Sequence, residues 1–173
     1  MLAETKNAAI PKNWAELCDP IQPFLDEVSD RLQDEVKNFD PQITTFVQYA
    51  LASRGKQLRP ALVALAARAA GGIKPQHVHV AVIIEMVHLA TLVHDDVVDG
   101  AEVRRNRPTL AANWGNKVSV LAGDCLFAEA LKLAATLPSN EVCRLVSQSA
   151  KIVCTGEIRQ TLQRGNFELS REE

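Results

Sequence analysis

The stretch between residues 77 and 100 constrains the fold most, because its long apolar segment ends in three closely spaced aspartates. Spacings of three and four residues place one set of side chains on a single helical face: Ile84, His88, Thr91, Asp95 and Asp99. Together with Asp96, the two acids of this face crowd the last helical turn, where they repel one another and the negative end of the helix dipole. A cation would relieve this repulsion, and carboxylate oxygens are typical ligands of Mg²⁺ beside phosphates.

Basic residues on both sides of the acidic motif favour a binding site over a solvated helix end, which is the simpler reading of a short DDxxD pattern. Arg104 and Arg105 follow the acids in a predicted loop. Lys56 and Arg59 lie earlier, three residues apart at the start of another predicted helix, where free backbone N–H groups attract anions. Carboxylates that can bind a metal lie in the sequence near cations that can bind phosphate, and this combination predicts a diphosphate-binding site.

Composition excludes several classes of protein. Hydrophobic residues make up 47% of the 173-residue chain, which favours one folded domain over a disordered segment. The formal net charge of −2 and the 5% aromatic content argue against a nucleic-acid partner. The apolar run over 78–93 is interrupted by Glu85 and His88, so we expect no membrane span.

The cysteines indicate the compartment. Cys18, Cys125, Cys143 and Cys154 lack the spacing of a metal site or a redox motif, and we interpret them as buried free thiols in a reducing environment. The first twelve residues lack the basic and apolar regions of a secretory signal. We therefore expect a cytoplasmic protein.

Helical patterns dominate the rest of the chain, and no segment alternates like a strand. Asp40-Pro41 has the pattern of a helix start and Gly71-Gly72 that of a helix end, while Trp114-Gly115-Asn116 predicts a turn. The predicted helices are a short opening at 14–17, then 24–39, 41–53, 61–70, a central helix introduced by Pro75, 118–137 and 141–164. They imply an all-α antiparallel helix bundle.

The motifs together resemble the trans-isoprenyl diphosphate synthases, also called polyprenyl synthetases. They are Gly55–Pro60, His88, Asp95–Asp99, Arg104-Arg105, Pro108-Thr109, Trp114–Asn116, Leu121–Asp124 and Gly156–Gln160. They occur in the same order as in the family, and the sequence of Trp114–Asn116 is most similar to that of the long-chain bacterial enzymes. The resemblance implies head-to-tail condensation of isopentenyl diphosphate with an allylic prenyl diphosphate by a homodimeric enzyme.

Family roles follow position by position. The resemblance implies that Asp95, Asp96 and Asp99 hold Mg²⁺ ions that bridge the allylic diphosphate, which Arg104 also contacts. It assigns the diphosphate of isopentenyl diphosphate to a basic set: Lys56, Arg59, His88 and Arg105. Gln160, with Glu157, is either an exposed polar residue or a further contribution to the substrate cavity. The reaction would ionise the allylic diphosphate, join the isopentenyl double bond to the resulting cation, and release a proton.

Product length depends, in this family, on residues four or five positions before the first aspartate motif, which form the floor of a tunnel. Here those positions hold Ala90 and Thr91, and neither is aromatic. A floor would then come from deeper residues such as Val87, Met86 or Ile84, or from a neighbouring helix or subunit. We therefore expect products longer than C20.

Two departures from the family pattern remain. Asn106 replaces a common glycine after the arginine pair, which we expect to be tolerated. The sequence also ends before a second aspartate-rich motif, so we expect residues 1–173 to be the N-terminal part of one synthase domain, inactive alone. A non-catalytic helical subunit or regulatory module is the alternative. A terpene cyclase or head-to-head enzyme is a weaker one, because it has no need of Lys56, Arg59 and His88.

Overall fold

The computed structural model describes residues 13–52 and 55–167. Almost all regular structure in these residues is helical, which confirms the all-α class predicted from the sequence. The α-helices are α1 (Trp14–Cys18), α2 (Gln22–Val36), α3 (Pro41–Leu51), α4 (Leu58–Ala69), α5 (Pro75–Val98), α6 (Leu110–Ala135) and α7 (Glu141–Leu162). A 3₁₀ turn follows α1, and two short antiparallel strands, β1 (Val103–Arg104) and β2 (Arg107–Pro108), join α5 to α6.

Helix α5 lies at the centre of the bundle, and it packs most extensively against α6 and also against α2 and α4. Val82 and Ile83 of α5 are fully buried beside Val28 of α2, Ala64 of α4 and Leu126 of α6. Burial of each large aliphatic side chain stabilises the fold by about 1.5–3 kcal/mol. The helix that carries the acidic motif is therefore the best anchored element of the chain.

By length and composition alone, α5 is long enough and apolar enough to cross a membrane. The structure accounts for this character differently, since the helix is surrounded by α2, α4 and α6 and contributes to the core along much of its length. Glu85 and His88 interrupt it near the middle. Such a helix is typical of the centre of a globular bundle.

Helix ends agree with most of the sequence signals. Asp40 caps α3, its carboxylate accepting a hydrogen bond from the Gln42 amide at 2.8 Å. Thr109 caps α6 by accepting from the Ala112 amide at 3.1 Å, so this helix begins eight residues before the predicted start at 118. The turn predicted around Gly115 is a kink inside α6, where the glycine has φ 83°.

Helix α7 differs from the other long helices because none of its residues is buried. Its exposed apolar side chains include Ile152, Val153, Ile158 and Leu162. The interpretation of the cysteines as buried needs correction in the same region, since Cys154 on α7 is exposed and only Cys18 is fully buried. All four cysteines are free thiols, as expected.

Candidate functional site

The predicted basic residues line one cavity. Its volume is about 590 Å³, and its lining residues are Gly55, Lys56, Gln57, Leu58, Arg59, Glu85, His88, Leu89, Leu92 and Arg105. The set assigned to isopentenyl diphosphate thus converges from the start of α4, the middle of α5 and the connection between α5 and α6. Glu85, which the sequence reading left out, lies one turn before His88 on the same face of α5 and brings an acid into the cavity.

Neighbouring helices hold the loop that carries Lys56. The indole Nε1 of Trp14 on α1 donates to the Lys56 carbonyl at 3.2 Å. Gln57 adopts a left-handed conformation with φ 49° at the N-cap position of α4, and its side-chain amide donates to the Ser29 hydroxyl at 2.6 Å. These contacts to α1 and α2 fix the start of α4, where Lys56 and Arg59 present exposed cationic side chains.

His88 is neutral in the folded protein at pH 7. Burial lowers the pKa of its imidazole to about 4, and the positive charges of Arg59, Arg105 and Arg104 add to the effect. A neutral imidazole offers one N–H donor and one acceptor nitrogen instead of a fourth positive charge beside Lys56, Arg59 and Arg105. His88 can therefore donate to a phosphate oxygen without adding to the repulsion among the cations.

The connection between α5 and α6, predicted as a loop, is a β-hairpin that we call the arginine hairpin (residues 103–108). Its turn residues Arg105 and Asn106 both have positive φ, 51° and 61°, the pattern of a type I′ turn. Asparagine suits this conformation, so Asn106 fits its position well, whereas arginine is strained there. The Arg105 guanidinium lies against Gly55, where a β-carbon would approach both terminal nitrogens to 2.9 Å.

The three aspartates occupy two environments. Asp95 and Asp99 are exposed and lie one turn apart, and partial burial together with the Asp99 charge raises the pKa of Asp95. Asp96 is buried, with 6% of its surface exposed, and accepts a hydrogen bond from Arg104 Nε at 2.7 Å. The structure therefore brings Asp95 and Asp99 together and pairs Asp96 with Arg104.

The chemistry of the exposed pair fits a magnesium site, although no group of three or more acidic, histidine or cysteine side chains clusters closely within the described ranges. Mg²⁺ keeps several waters and uses one or two carboxylates together with substrate phosphates. Asp95 and Asp99 supply two such carboxylates. Burial, and secondly the charge of Asp99, raises the pKa of Asp95, and a divalent cation would offset both effects by stabilising the ionised carboxylate. One carboxylate oxygen of Asp96 already accepts a hydrogen bond from Arg104.

An apolar groove of about 720 Å³ runs beside the acidic end of α5, between that helix, α6 and α7. Ile84, Val87 and Thr91 line it from α5, and Phe127 lines it from α6. The Thr91 hydroxyl donates to the His88 carbonyl at 2.8 Å, so it presents no unpaired donor to the groove. Of the deeper positions considered as a floor, Ile84 and Val87 face the groove, while Met86 is buried in the core.

The remaining predicted site residues are placed less centrally. Ala90 reaches the groove but is almost completely buried, with 1% of its surface exposed. Gln160 is exposed on α7, beyond Cys154, the last residue of that helix to line the groove. The structure therefore does not bring Gln160 to the basic cavity or the groove.

Gly123 on α6 packs closely against α5. A β-carbon there would overlap the imidazole of His94, which lies directly before the first aspartate. The His94 ring is further held by the Val120 carbonyl at 3.1 Å and approaches the Asp124 carboxylate at 3.4 Å. Helix α6 thus fixes the α5 residue next to Asp95, a role that the sequence reading did not assign to His94.

The chain is similar to known proteins in both sequence and structure. Residues 40–173 match the family model described as polyprenyl synthetase. Octaprenyl diphosphate synthase of Escherichia coli is 37% identical over 139 residues, which cover 80% of this chain and 43% of that protein. A decaprenyl diphosphate synthase structure from Rhodobacter capsulatus superposes with a TM-score of 0.84 at 32% identity, covering 91% of this chain and 49% of that one.

A second similar structure contains a bound ligand. The polyprenyl synthase from Caulobacter crescentus, complexed with calcium and isoprenyl diphosphate, has a TM-score of 0.84 and 30% identity and covers 95% of this chain and 50% of that one. The chain spans about half the length of the relatives it matches. Because the family model covers more than half of the sequence, the chain belongs to the polyprenyl synthetase family.

Proposed function

We propose that this chain contributes to a prenyltransferase that condenses isopentenyl diphosphate head to tail with an allylic diphosphate, giving a polyprenyl diphosphate. The observation that carries the proposal is the convergence of Lys56, Arg59, His88 and Arg105 on one cavity. A carboxylate pair and an apolar groove lie on the same central helix. The names of the relatives, which include octaprenyl and decaprenyl diphosphate synthases, support the same reaction class.

The basic cavity is the proposed site for the diphosphate of isopentenyl diphosphate. Lys56 and Arg59 stand at the N-terminal end of α4, where the helix dipole adds to their attraction for an anion. Arg105 adds a guanidinium from the arginine hairpin, and His88 adds a neutral donor. Together they would hold the nucleophilic substrate by its charged end.

Asp95 and Asp99 are the residues that would hold Mg²⁺. A metal held by these carboxylates would supply positive charge that stabilises the leaving diphosphate. Asp96 has a separate role in this proposal, since its carboxylate holds Arg104 at 2.7 Å and so orients that guanidinium beside the acidic end of α5.

The proposed reaction balances as a substitution at carbon. The allylic C–O bond breaks, and diphosphate leaves with the electron pair. The double bond of isopentenyl diphosphate then forms the new C–C bond, and a proton is lost to restore an alkene. Ile84, Val87 and Phe127 line the groove that would hold the hydrocarbon and keep water from the cationic carbon.

The groove also supports a product longer than C20. Thr91 lines it one turn before Asp95, and no phenylalanine, tyrosine or tryptophan of α5 does so. Phenylalanine at Thr91 would narrow the groove one turn below Asp95, about 6 Å along the helix. We expect Thr91→Phe to shorten the products of the complete enzyme, measured by chromatography of the hydrolysed prenols. A wild-type product of C15, or unchanged products from the variant, would contradict this reading.

A homodimer belongs to the proposal as well. The apolar side chains of α7, including Ile152, Ile158 and Leu162, are exposed and form a surface of the kind that binds another protein surface. We expect the chain to self-associate at micromolar concentration. A monodisperse monomer in multi-angle light scattering would contradict the expectation.

A cytoplasmic location completes the proposal. All four cysteines are free thiols, and Cys154 is exposed, an arrangement that persists in a reducing compartment. Fractionation of the host cells tests the location, and recovery of the chain from an oxidising compartment would contradict it.

Calorimetric titration of isopentenyl diphosphate into the chain tests the proposed function. Arg59→Ala should weaken binding about tenfold to a hundredfold, because a charge-assisted contact is lost. Lys37→Ala is the matched control, since Lys37 is an exposed cation directly after α2 that pairs with Asp34 and does not line the cavity. Equal affinities of the two variants, or no binding by the wild-type chain, would refute the assignment.

A further inference from the structure

The arginine hairpin needs support from outside itself. Its strands contain two residues each, with Arg104 paired to Arg107 and Val103 to Pro108. A hairpin of this length is not stable alone in water, and its left-handed Arg105 makes the turn less favourable still. The position of the Arg105 guanidinium in the basic cavity therefore depends on whatever fixes the two strands.

The base of the hairpin is tied to the helices that flank it. The Thr109 hydroxyl donates to the Ala101 carbonyl at 2.7 Å, and its amide donates to the Glu102 carbonyl at 2.9 Å. On β1, Arg104 reaches back to Asp96. These contacts secure the ends of the connection and the first strand, but none of them reaches β2.

Tyr49 on α3 holds the second strand. Its hydroxyl donates to the Pro108 carbonyl at 2.7 Å, and the Arg107 guanidinium carbon lies 4.6 Å from the centre of its ring. Trp114 also packs on this ring, in an edge-to-face contact with centroids 4.9 Å apart, and Phe46 packs on Trp114 in turn. Tyr49, itself packed against Trp114, thus contacts both residues of β2.

Tyr49 itself lies outside the basic cavity. It lines a separate small recess with Asp96, Arg104 and Arg107, while Arg105 points from the opposite side of the turn toward Gly55. The guanidinium rests against Gly55, so its position depends on where the strands place the Arg105 backbone. A shift of β2 away from Tyr49 would carry Arg105 out of contact with the loop that bears Lys56.

We infer that Tyr49 is a positioning residue, which fixes the arginine hairpin so that Arg105 holds the diphosphate of isopentenyl diphosphate. The inference rests on the proposed function for the identity of the ligand. It adds to that function a residue on α3 that touches no substrate and acts on substrate affinity through Arg105.

Two measurements on the chain test the inference, and the first needs no ligand. Tyr49→Phe removes the hydroxyl while keeping the ring, so it should loosen β2 and speed trypsin cleavage after Arg104 and Arg105 by about threefold to tenfold, the net effect of one hydrogen bond. Thr44→Val is the matched control, because it also removes one hydroxyl from α3, but that hydroxyl donates to the Phe39 and Asp40 carbonyls at the start of the helix. Equal cleavage rates in Tyr49→Phe and the wild type would overturn the inference.

The second measurement is calorimetric titration of isopentenyl diphosphate. Tyr49→Phe should weaken binding about threefold to tenfold, and Tyr49→Leu more, since it also removes the ring beneath Arg107. In an Arg105→Ala background the Tyr49→Phe change should have no further effect, as expected for residues that act through one contact. Additive effects, or unchanged affinity despite faster cleavage, would overturn the inference and leave the proposed function intact. Failure of the wild type to bind would refute the proposed function, while the cleavage rates still decide whether Tyr49 holds β2.

Discussion

The basic and acidic halves of the site are built in different ways. In the basic half, each cationic segment is fixed by the fold: Trp14 holds the Lys56 loop, and Gly55 accommodates the Arg105 guanidinium. In the acidic half, Asp95 and Asp99 are exposed and repel each other at the end of α5. The central helix carries both halves, so the difference lies in the partners of each residue.

This difference teaches how a protein divides the work of binding charge. Cations that contact a diphosphate directly can be positioned in advance by hydrogen bonds and packing, because the anion is their only required partner. Carboxylates that bind a substrate through a metal keep part of their repulsion until the cation arrives, since neutralising them with protein groups would weaken metal binding. Asp96, whose charge is neutralised by Arg104, shows that a carboxylate at the same helix end can instead be paired within the protein.

The largest expected effect comes from removing the acidic half. Asp95→Ala should weaken Mg²⁺-dependent binding of farnesyl diphosphate roughly a hundredfold, equivalent to a few kcal/mol, because one metal contact is lost. Asp34→Ala on α2 is the control, an exposed carboxylate that pairs with Lys37. Calorimetry in the presence of Mg²⁺ measures both, and equal affinities would remove the distinction between Asp95 and an ordinary surface acid.

Substitution of Gly55 tests the preorganisation of the basic half. A β-carbon would displace the flexible end of Arg105, so Gly55→Ala should weaken isopentenyl diphosphate binding about tenfold with little change in melting temperature. Circular dichroism and calorimetry on the same sample separate the two effects. If affinity is unchanged, the contact between Gly55 and Arg105 does not position the guanidinium.

Gly123 tests the packing behind the acidic half. A β-carbon there would strike the His94 ring, which is held in place by Val120, so Gly123→Ala should lower the free energy of unfolding by about 1–3 kcal/mol. Gly156 on α7 is the matched control, because a β-carbon there meets no atom within 4 Å. Gly156→Ala should raise stability by about 0.5–1 kcal/mol, as alanine does in an open helix position. Urea unfolding measures both, and destabilisation by both or by neither would contradict the packing argument.

The smallest effect concerns the neutral member of the basic half. The pKa of His88 is about 4 in the fold against 6.5 for an ordinary imidazole, so the unfolded chain binds a proton between these values. The resulting stability is fully present above pH 6.5 and is lost as the pH falls toward 4. The loss should be about 1 kcal/mol after allowance for solvent screening. His88→Asn should flatten the pH dependence of unfolding by that amount, and parallel curves for the two proteins would contradict the pKa.

Local patterns in the sequence predicted the helices well, because apolar periodicity and caps such as Asp40 act within one element. The burial of Asp96 had a signal too, since Leu89, Val93 and Asp96 follow one another at steps of four and three and extend the buried stripe of α5.

Contacts between distant elements had no such signal. Tyr49 meets Pro108 across 59 residues, and neither position is marked by spacing or charge. The arginine hairpin was predicted as a loop because two-residue strands are too short to alternate visibly. The grouping of Lys56 with Arg105 came from family resemblance, since charge alone predicts attraction to anions without saying which cations share one cavity.

The left-handed backbone of Arg105 has a consequence for directed evolution. Glycine at this position would relieve the backbone, raising the free energy of unfolding by about 1 kcal/mol, but it would remove the guanidinium. A library selected only for thermostability should therefore enrich Arg105→Gly, whereas one selected for prenyl transfer in the complete enzyme should retain arginine. The frequencies of glycine and arginine at codon 105 in the two pools would measure how strongly selection for stability and selection for ligand binding oppose each other at this position.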